Sequence, residues 1–277
     1  MNLRATRRFW LGPLLVLVLA LACSTSPLGR KQLTLLPDDQ MNGMGLSAFE
    51  ETKASTPIET DPATNAYVRC VAEAILAVTA DQTGVSDWEV VVFRDDTPNA
   101  FALPGGRIGV HTGLLKVAVT PDQLAAVIGH EVSHVIARHG NERVSQGMVA
   151  QLGLGVIDIA LGNPESPEHQ QLMGLLGLGT QVGILLPFSR SHESEADLLG
   201  LDAMARAGFD PRASIELWEN MSAAGGGQPP EFLSTHPSHG TRIADLQARM
   251  STALPLYEEA RAAGRRPHCT PPAGAGN

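Results

Sequence analysis

The chain has 277 residues, 43% of them hydrophobic, which is enough for one large domain or two small ones with a real core and argues against disorder of the whole. Gly and Pro supply 28 and 19 residues and aromatics only 4%, a balance that points to a helix-rich chain with punctuated loops rather than an all-β sandwich. A net charge of −9, with no block of Lys or Arg to neutralise phosphates, argues against a nucleic-acid partner.

In chain order, the first element is an export signal over residues 1–22. Arg4, Arg7 and Arg8 precede the apolar run FWLGPLLVLVLALA, which suits a signal h-region and is short for a transmembrane helix. Ala20, Leu21 and Ala22 lead directly into Cys23, a pattern similar to the bacterial lipobox, in which the cysteine is acylated and becomes the mature N-terminus. Ordinary cleavage after Ala-Leu-Ala is the alternative. Ser24 after the cysteine resembles the sorting signal for the outer membrane, so the expected location is the periplasmic face of that membrane, with a lipid anchor. With Cys23 lipidated, Cys70 and Cys269 are left either to pair across an oxidising compartment or to stay as two separate thiols.

Residues 23–60 are rich in Ser, Thr, Pro and Gly and are expected to form a tether and a loosely packed approach to a single domain at 61–262, which a tail at 263–277 follows. Asp61 and Pro62 are an N-cap and first-turn pair, and Tyr67, Val71, Ile75 and Val78 recur at helical spacing to about Ala80. WEVVVF at 88–93 reads as a strand, and AFALPGGRIGVH as two more that turn at Gly105 and Gly106. TPDQ at 120–123 opens a helix expected to stop at Gly140. Residues 143–188 carry apolar, Gly-rich runs that suit either a helical hairpin over the core or a mobile flap. Helices are expected at about 189–207, 212–223 and 240–262.

The chemistry is concentrated in HEVSHVIARH, residues 130–139. On a helix, His130 and His134 lie one above the other and direct two imidazole nitrogens at one point, which is half of a zinc site. Glu131 swings beside that point, where its carboxylate can take a proton from a water that the metal activates. A catalytic zinc wants a third protein ligand and an open position. His139 is poorly spaced for the part and is expected to serve the end of the helix. Downstream, in SRSHESEADLLG, Glu193 and Asp197 stand i and i+4, so one carboxylate can bind the metal while the other reaches a ligand histidine from behind. Glu195 is a rival ligand that points some 160° away from Asp197, and His192 reads as a bystander at the rim.

Together with the upstream NAFALPGGRIGVHTGLL and the downstream STHPSHGTRI, these motifs resemble the gluzincin metallopeptidases that include the CAAX prenyl endopeptidases, HtpX and the periplasmic BepA and LoiP types. The likeness runs in order from about residue 33 to residue 250, without transmembrane spans or tetratricopeptide repeats. It implies an α+β, mostly helical, zincin-like domain with a small sheet bordering the cleft, and one Zn2+ held by His130, His134 and Glu193. It further implies Glu131 as general base, Asp197 orienting a ligand histidine, and a substrate edge that begins at Asn99 and Ala100. His236 matches a histidine that in some members occupies the open metal position, and Arg242 an arginine near the site. Both are candidates for assisting the oxyanion; the alternatives are a solvated loop histidine and an arginine paired with an acid. The expected function is zinc-dependent endoproteolysis of unfolded or misassembled envelope proteins. The rivals are a zinc-binding assembly factor for outer-membrane proteins with latent proteolysis, and a scaffold lipoprotein.

Overall fold

The computed structural model describes residues 23–149, 188–224, 232, 236 and 241–273. The expected signal segment 1–22 and most of the apolar runs after 143 lie outside the described residues.

The fold is α+β and mostly helical, built around one buried helix. A short antiparallel pair, β1 (Cys23–Thr25) and β2 (Lys31–Leu33), is followed by α1 (Asp38–Ser55) and α2 (Pro62–Thr83). Then come β3 (Glu89–Phe93), β4 (Ala100–Leu103) and β5 (Arg107–His111), a 3-10 turn at Thr112–Lys116, and α3 (Pro121–Ile136). Residues 139–149 are helical, and α4 (Arg190–Ala207), α5 (Ala213–Ala224) and α6 (Arg242–Ala262) complete the order.

The stretch 23–60 is not a tether. Its Ser, Thr, Pro and Gly are outweighed by the spacing of Met41, Ala48 and Phe49, which puts one apolar face of α1 onto the sheet. Phe49 is fully buried and meets Phe93 and Phe101 edge-on, with ring centroids 6.1 and 6.2 Å away.

In the three-stranded sheet the order is β3-β5-β4, so β4 is an edge, paired antiparallel to β5 from Ala100↔Val110 to Leu103↔Arg107. The β4–β5 turn is made by Gly105 and Gly106, at φ +83° and +79°, a left-handed backbone that a side chain would strain.

α3 starts where Thr120 accepts from the Gln123 N–H at 3.2 Å, with Pro121 in the first turn. Almost all of its residues are buried, because α2, α4, α5 and β4 cover it on several sides. Leu124 and Ile128 pack with Ile75, Val110, Met204 and Leu217 in the main core. The helix ends at Ile136, four residues short of the expected stop at Gly140. Arg138 adopts φ +54°, uncommon for a non-glycine residue, and the chain turns into the next helix at His139. The opposite end of the fold is tied by a disulfide between Cys70 on α2 and Cys269, so the two cysteines pair and the tail is held to the domain.

Candidate metal centre

Two helices supply the centre, and their approach depends on having no side chain at the crossing. A Cβ on Gly200 of α4 would stand 2.7 Å from the His130 nitrogen, and one on Gly129 of α3 would stand 2.9 Å from the Gly200 carbonyl oxygen. The glycine pair lets the two backbones touch beside His130. One to two turns back along α4, Asp197 and Glu193 then reach the imidazoles of α3.

The structure brings His130, His134, Glu193 and His236 together, each buried, with one donor atom from each lying within 4.8 Å of the others. His130 Nε2 lies 3.1 Å from His134 Nε2 and 3.5 Å from Glu193 Oε2, and His134 Nε2 lies 3.5 Å from Glu193 Oε1. His236 Nδ1 stands 3.3 Å from His130 Nε2 and 3.1 Å from Glu193 Oε1. Donors each about 2.1 Å from one tetrahedral ion would be separated by about 3.4 Å, so these spacings fit a single metal. Glu193 Oε2 and Glu131 Oε1 are buried and make no hydrogen bond among the described residues, only ion-pair contacts such as those of 3.3 Å to Arg242 Nη1 and 3.4 Å to His236 Nε2 respectively, so a metal ion or water would satisfy them further.

Behind the centre, His130 Nδ1 lies 2.9 Å from Asp197 Oδ1, which also accepts from Arg242 Nη2 at 2.6 Å. The Arg242 guanidinium stacks 3.4 Å over the Trp218 ring and places Nη1 3.3 Å from Glu193 Oε2. Of the two roles open to Arg242, assisting a substrate oxygen or pairing with an acid, the geometry matches the second, with Glu193 and Asp197 of α4.

Glu131 lies on the other side, 3.4 Å from His236 Nε2, and the nearby Ala102 backbone of β4 favours its charged form. The predicted edge thus borders the centre at Ala102, while Asn99 and Ala100 are buried at the start of the strand. A cleft of about 380 Å³ runs from His134 and Phe188 between β4 and α1, lined there by Met41, Met44, Ala48 and Leu103. Phe188 stacks on the His134 ring at 3.9 Å between centroids, and Phe232 on His236 at 4.5 Å.

Burial sets the protonation of these groups. It pushes the Glu131 carboxyl up and drives His134 well below its ordinary value. For His130 burial acts downward too, but hydrogen bonds to Asp197 and Glu193 outweigh it and raise the imidazole to about 9. Glu193 is desolvated, yet His130 and His236 hold it far below the usual carboxylate range. A metal ion bound here would displace the His130 proton, so occupancy rises with pH.

His139, expected to serve the helix end, Glu195, the rival ligand, and His192, expected as a bystander, form one connected group behind His134. His139 Nδ1 lies 2.9 Å from His134 Nδ1, and its Nε2 lies 3.2 Å from Glu195 Oε2. His192 is buried, 3.0 Å from Glu142 and stacked on His139. The five-residue gap from His134 to His139 gave no signal on an unbroken helix. The break at Arg138 is what turns His139 back toward His134.

A family profile described as peptidase family M48 matches residues 62–250. The mitochondrial metalloendopeptidase OMA1 of Schizosaccharomyces pombe is 41% identical over 188 residues, which is 66% of this chain and 52% of that protein. The metalloendopeptidase OMA1, mitochondrial, of Bos taurus is 33% identical over 242 residues, 83% of this chain and 45% of that protein. The beta-barrel assembly-enhancing protease of Escherichia coli is 30% identical over 220 residues, 77% of this chain and 44% of that protein. The chain thus spans about half the length of these curated relatives.

Proposed function

The chain belongs to peptidase family M48, and from that premise we propose that it is a zinc-dependent endopeptidase acting on unfolded or misassembled envelope proteins. The observation that carries this reading is the convergence of His130, His134 and Glu193 on one point, with the Glu131 carboxylate and the edge of β4 beside it. His130, His134 and Glu193 would hold the ion. Zinc, when bound, acidifies a water toward a pKa of about 7 and polarises a carbonyl oxygen.

Glu131 takes the proton of the attacking water and returns it to the leaving amine, a role that suits a carboxyl group raised by burial. An extended substrate segment adds to the free edge of β4 through main-chain hydrogen bonds, which serves unfolded chains without regard to their fold. Asp197 accepts from His130 Nδ1 and fixes the tautomer that leaves Nε2 for the metal, and Arg242 keeps Asp197 in place. Export and lipid anchoring at Cys23 are supported by the charged and apolar residues 4–22. The Cys70–Cys269 disulfide fits an oxidising compartment. No helix of the described residues is long and apolar enough to cross a membrane.

The test is Glu131→Gln. The variant is expected to bind one zinc per chain and to lose cleavage of casein by roughly 10²-fold or more. Cleavage at the wild-type rate with zinc in place sinks the assignment. A second reading, a zinc-binding assembly factor with latent proteolysis, is favoured by His236 as a fourth donor where a water belongs. Full complementation of a deletion strain by Glu131→Gln, but not by His130→Ala, selects it.

A further inference from the structure

The two histidines contributed by α3 are supported differently. His130 has a carboxylate, Asp197, directly on its outer nitrogen. His134 has another imidazole there, and the proton positions along that route follow from its chemistry. With Nε2 given to the metal, His134 carries its proton on Nδ1 and donates to His139 Nδ1 at 2.9 Å. His139 must then carry its own proton on Nε2, which it donates to Glu195 Oε2 at 3.2 Å. Glu195 is closed off by the N-terminal hairpin, accepting from Arg30 Nε at 3.0 Å and from the Leu28 backbone N–H at 3.3 Å.

Arg30 is fixed in turn by a two-pronged contact with Glu142, at 2.8 and 2.6 Å. The same hairpin braces the break that makes the route possible, since Gln32 Nε2 donates to the Ala137 carbonyl at 2.9 Å. Each link in the sequence His134, His139, Glu195, Arg30 joins a donor to an acceptor, and His139 and Glu195 are both buried. A partly satisfied chain of this kind would be costly, so its completeness is informative.

We infer that His139 and Glu195, clamped by Arg30 of the β1–β2 hairpin, are positioning residues that orient His134 toward the metal, so that the N-terminal hairpin is part of the metal centre. The inference rests on the metallopeptidase reading above. Partners behind a ligand histidine fix its ring and raise its basicity, and removing one weakens metal binding by roughly 10–100-fold.

The test measures the zinc dissociation constant of the full chain by competition with a chromophoric chelator, and the visible spectrum of the cobalt(II)-substituted protein. The variants are His139→Leu, Glu195→Gln and Arg30→Met. Each is expected to bind zinc more weakly, His139→Leu by roughly 10–100-fold, with altered cobalt bands. Arg249→Met, which breaks the separate ion pair to Asp202, is expected to leave both readouts at wild-type values. Should the fully buried His139 site not tolerate leucine, Glu195→Gln and the partly exposed Arg30 decide the matter. Wild-type affinity and an unchanged cobalt spectrum in these variants overturn the inference, even where thermal stability falls. A wild-type chain that takes up no stoichiometric zinc overturns the metallopeptidase reading itself.

Discussion

His236 occupies the place on which the proposed activity turns. Its Nδ1 completes a set of four donors with His130, His134 and Glu193, while its Nε2 faces Glu131 at 3.4 Å. The ring therefore fills the volume between metal and base, where the attacking water and the substrate carbonyl have to lie. On the proposed reading such an arrangement is closed, and it opens when His236 leaves. If the closed form holds about nine-tenths of the population, removing it should raise turnover about tenfold. His236→Ala is accordingly expected to cleave unfolded substrate faster than wild type at saturating zinc, while binding zinc more weakly because one donor is lost. A loss of cleavage at full zinc loading would reverse the assignment and make His236 an assisting group. Phe232 is stacked on the ring, with centroids 4.5 Å apart, and packs against His236 in this position.

At the scale of the elements, the centre depends on how closely α3 and α4 cross. Gly200→Ala puts a methyl group 2.7 Å from the His130 nitrogen, against backbone that cannot give. The helices must separate by a few tenths of an ångström or more, at a cost of about 1–3 kcal/mol. Glu193 and Asp197 ride on the same helix, so zinc affinity should fall together with the denaturation midpoint. A variant that loses stability and keeps its affinity would show that the crossing does not set the ligand geometry. Much of this was legible in the sequence. The Thr120-Pro121 start of α3, the i and i+4 pairs on α3 and α4, and the glycines of the β4–β5 turn each carry a local cause close in the chain. The end of α3 was misread for a physical reason. Gly140 is the residue that ordinarily stops a helix, whereas the chain turns at Arg138, whose positive φ is held by surroundings that include Gln32, more than 100 residues away. For the same reason the sequence assigns His139 to the helix end and Glu195 to a rival ligand: their contact exists only after the break is made.

At the scale of the whole molecule, α1 and the β1–β2 hairpin were hidden because their value lies in what they cover, not in their own pattern. α1 supplies one wall of the cleft, and the hairpin supplies Arg30. The other end of the chain is secured by chemistry. Cys70 and Cys269 are separated by 199 residues, and the segment between them contains the three-stranded sheet and α3 to α6. A crosslink across so long a segment acts chiefly on the unfolded chain, which it denies most of its extended conformations, and it is worth roughly 2–5 kcal/mol. The native contacts of the centre do not include either sulfur. The double variant Cys70→Ala, Cys269→Ala is therefore expected to lose about that much unfolding free energy in urea while zinc content stays at one per chain. Wild-type protein treated with a thiol reductant should shift by a similar amount, and the variant should not respond. An unchanged urea midpoint would mean that the packing of Cys269 against the core holds the tail without the bond. A fall in zinc content along with the midpoint would mean that the tail also braces α2 beneath α3, and so supports the centre from the side opposite the hairpin.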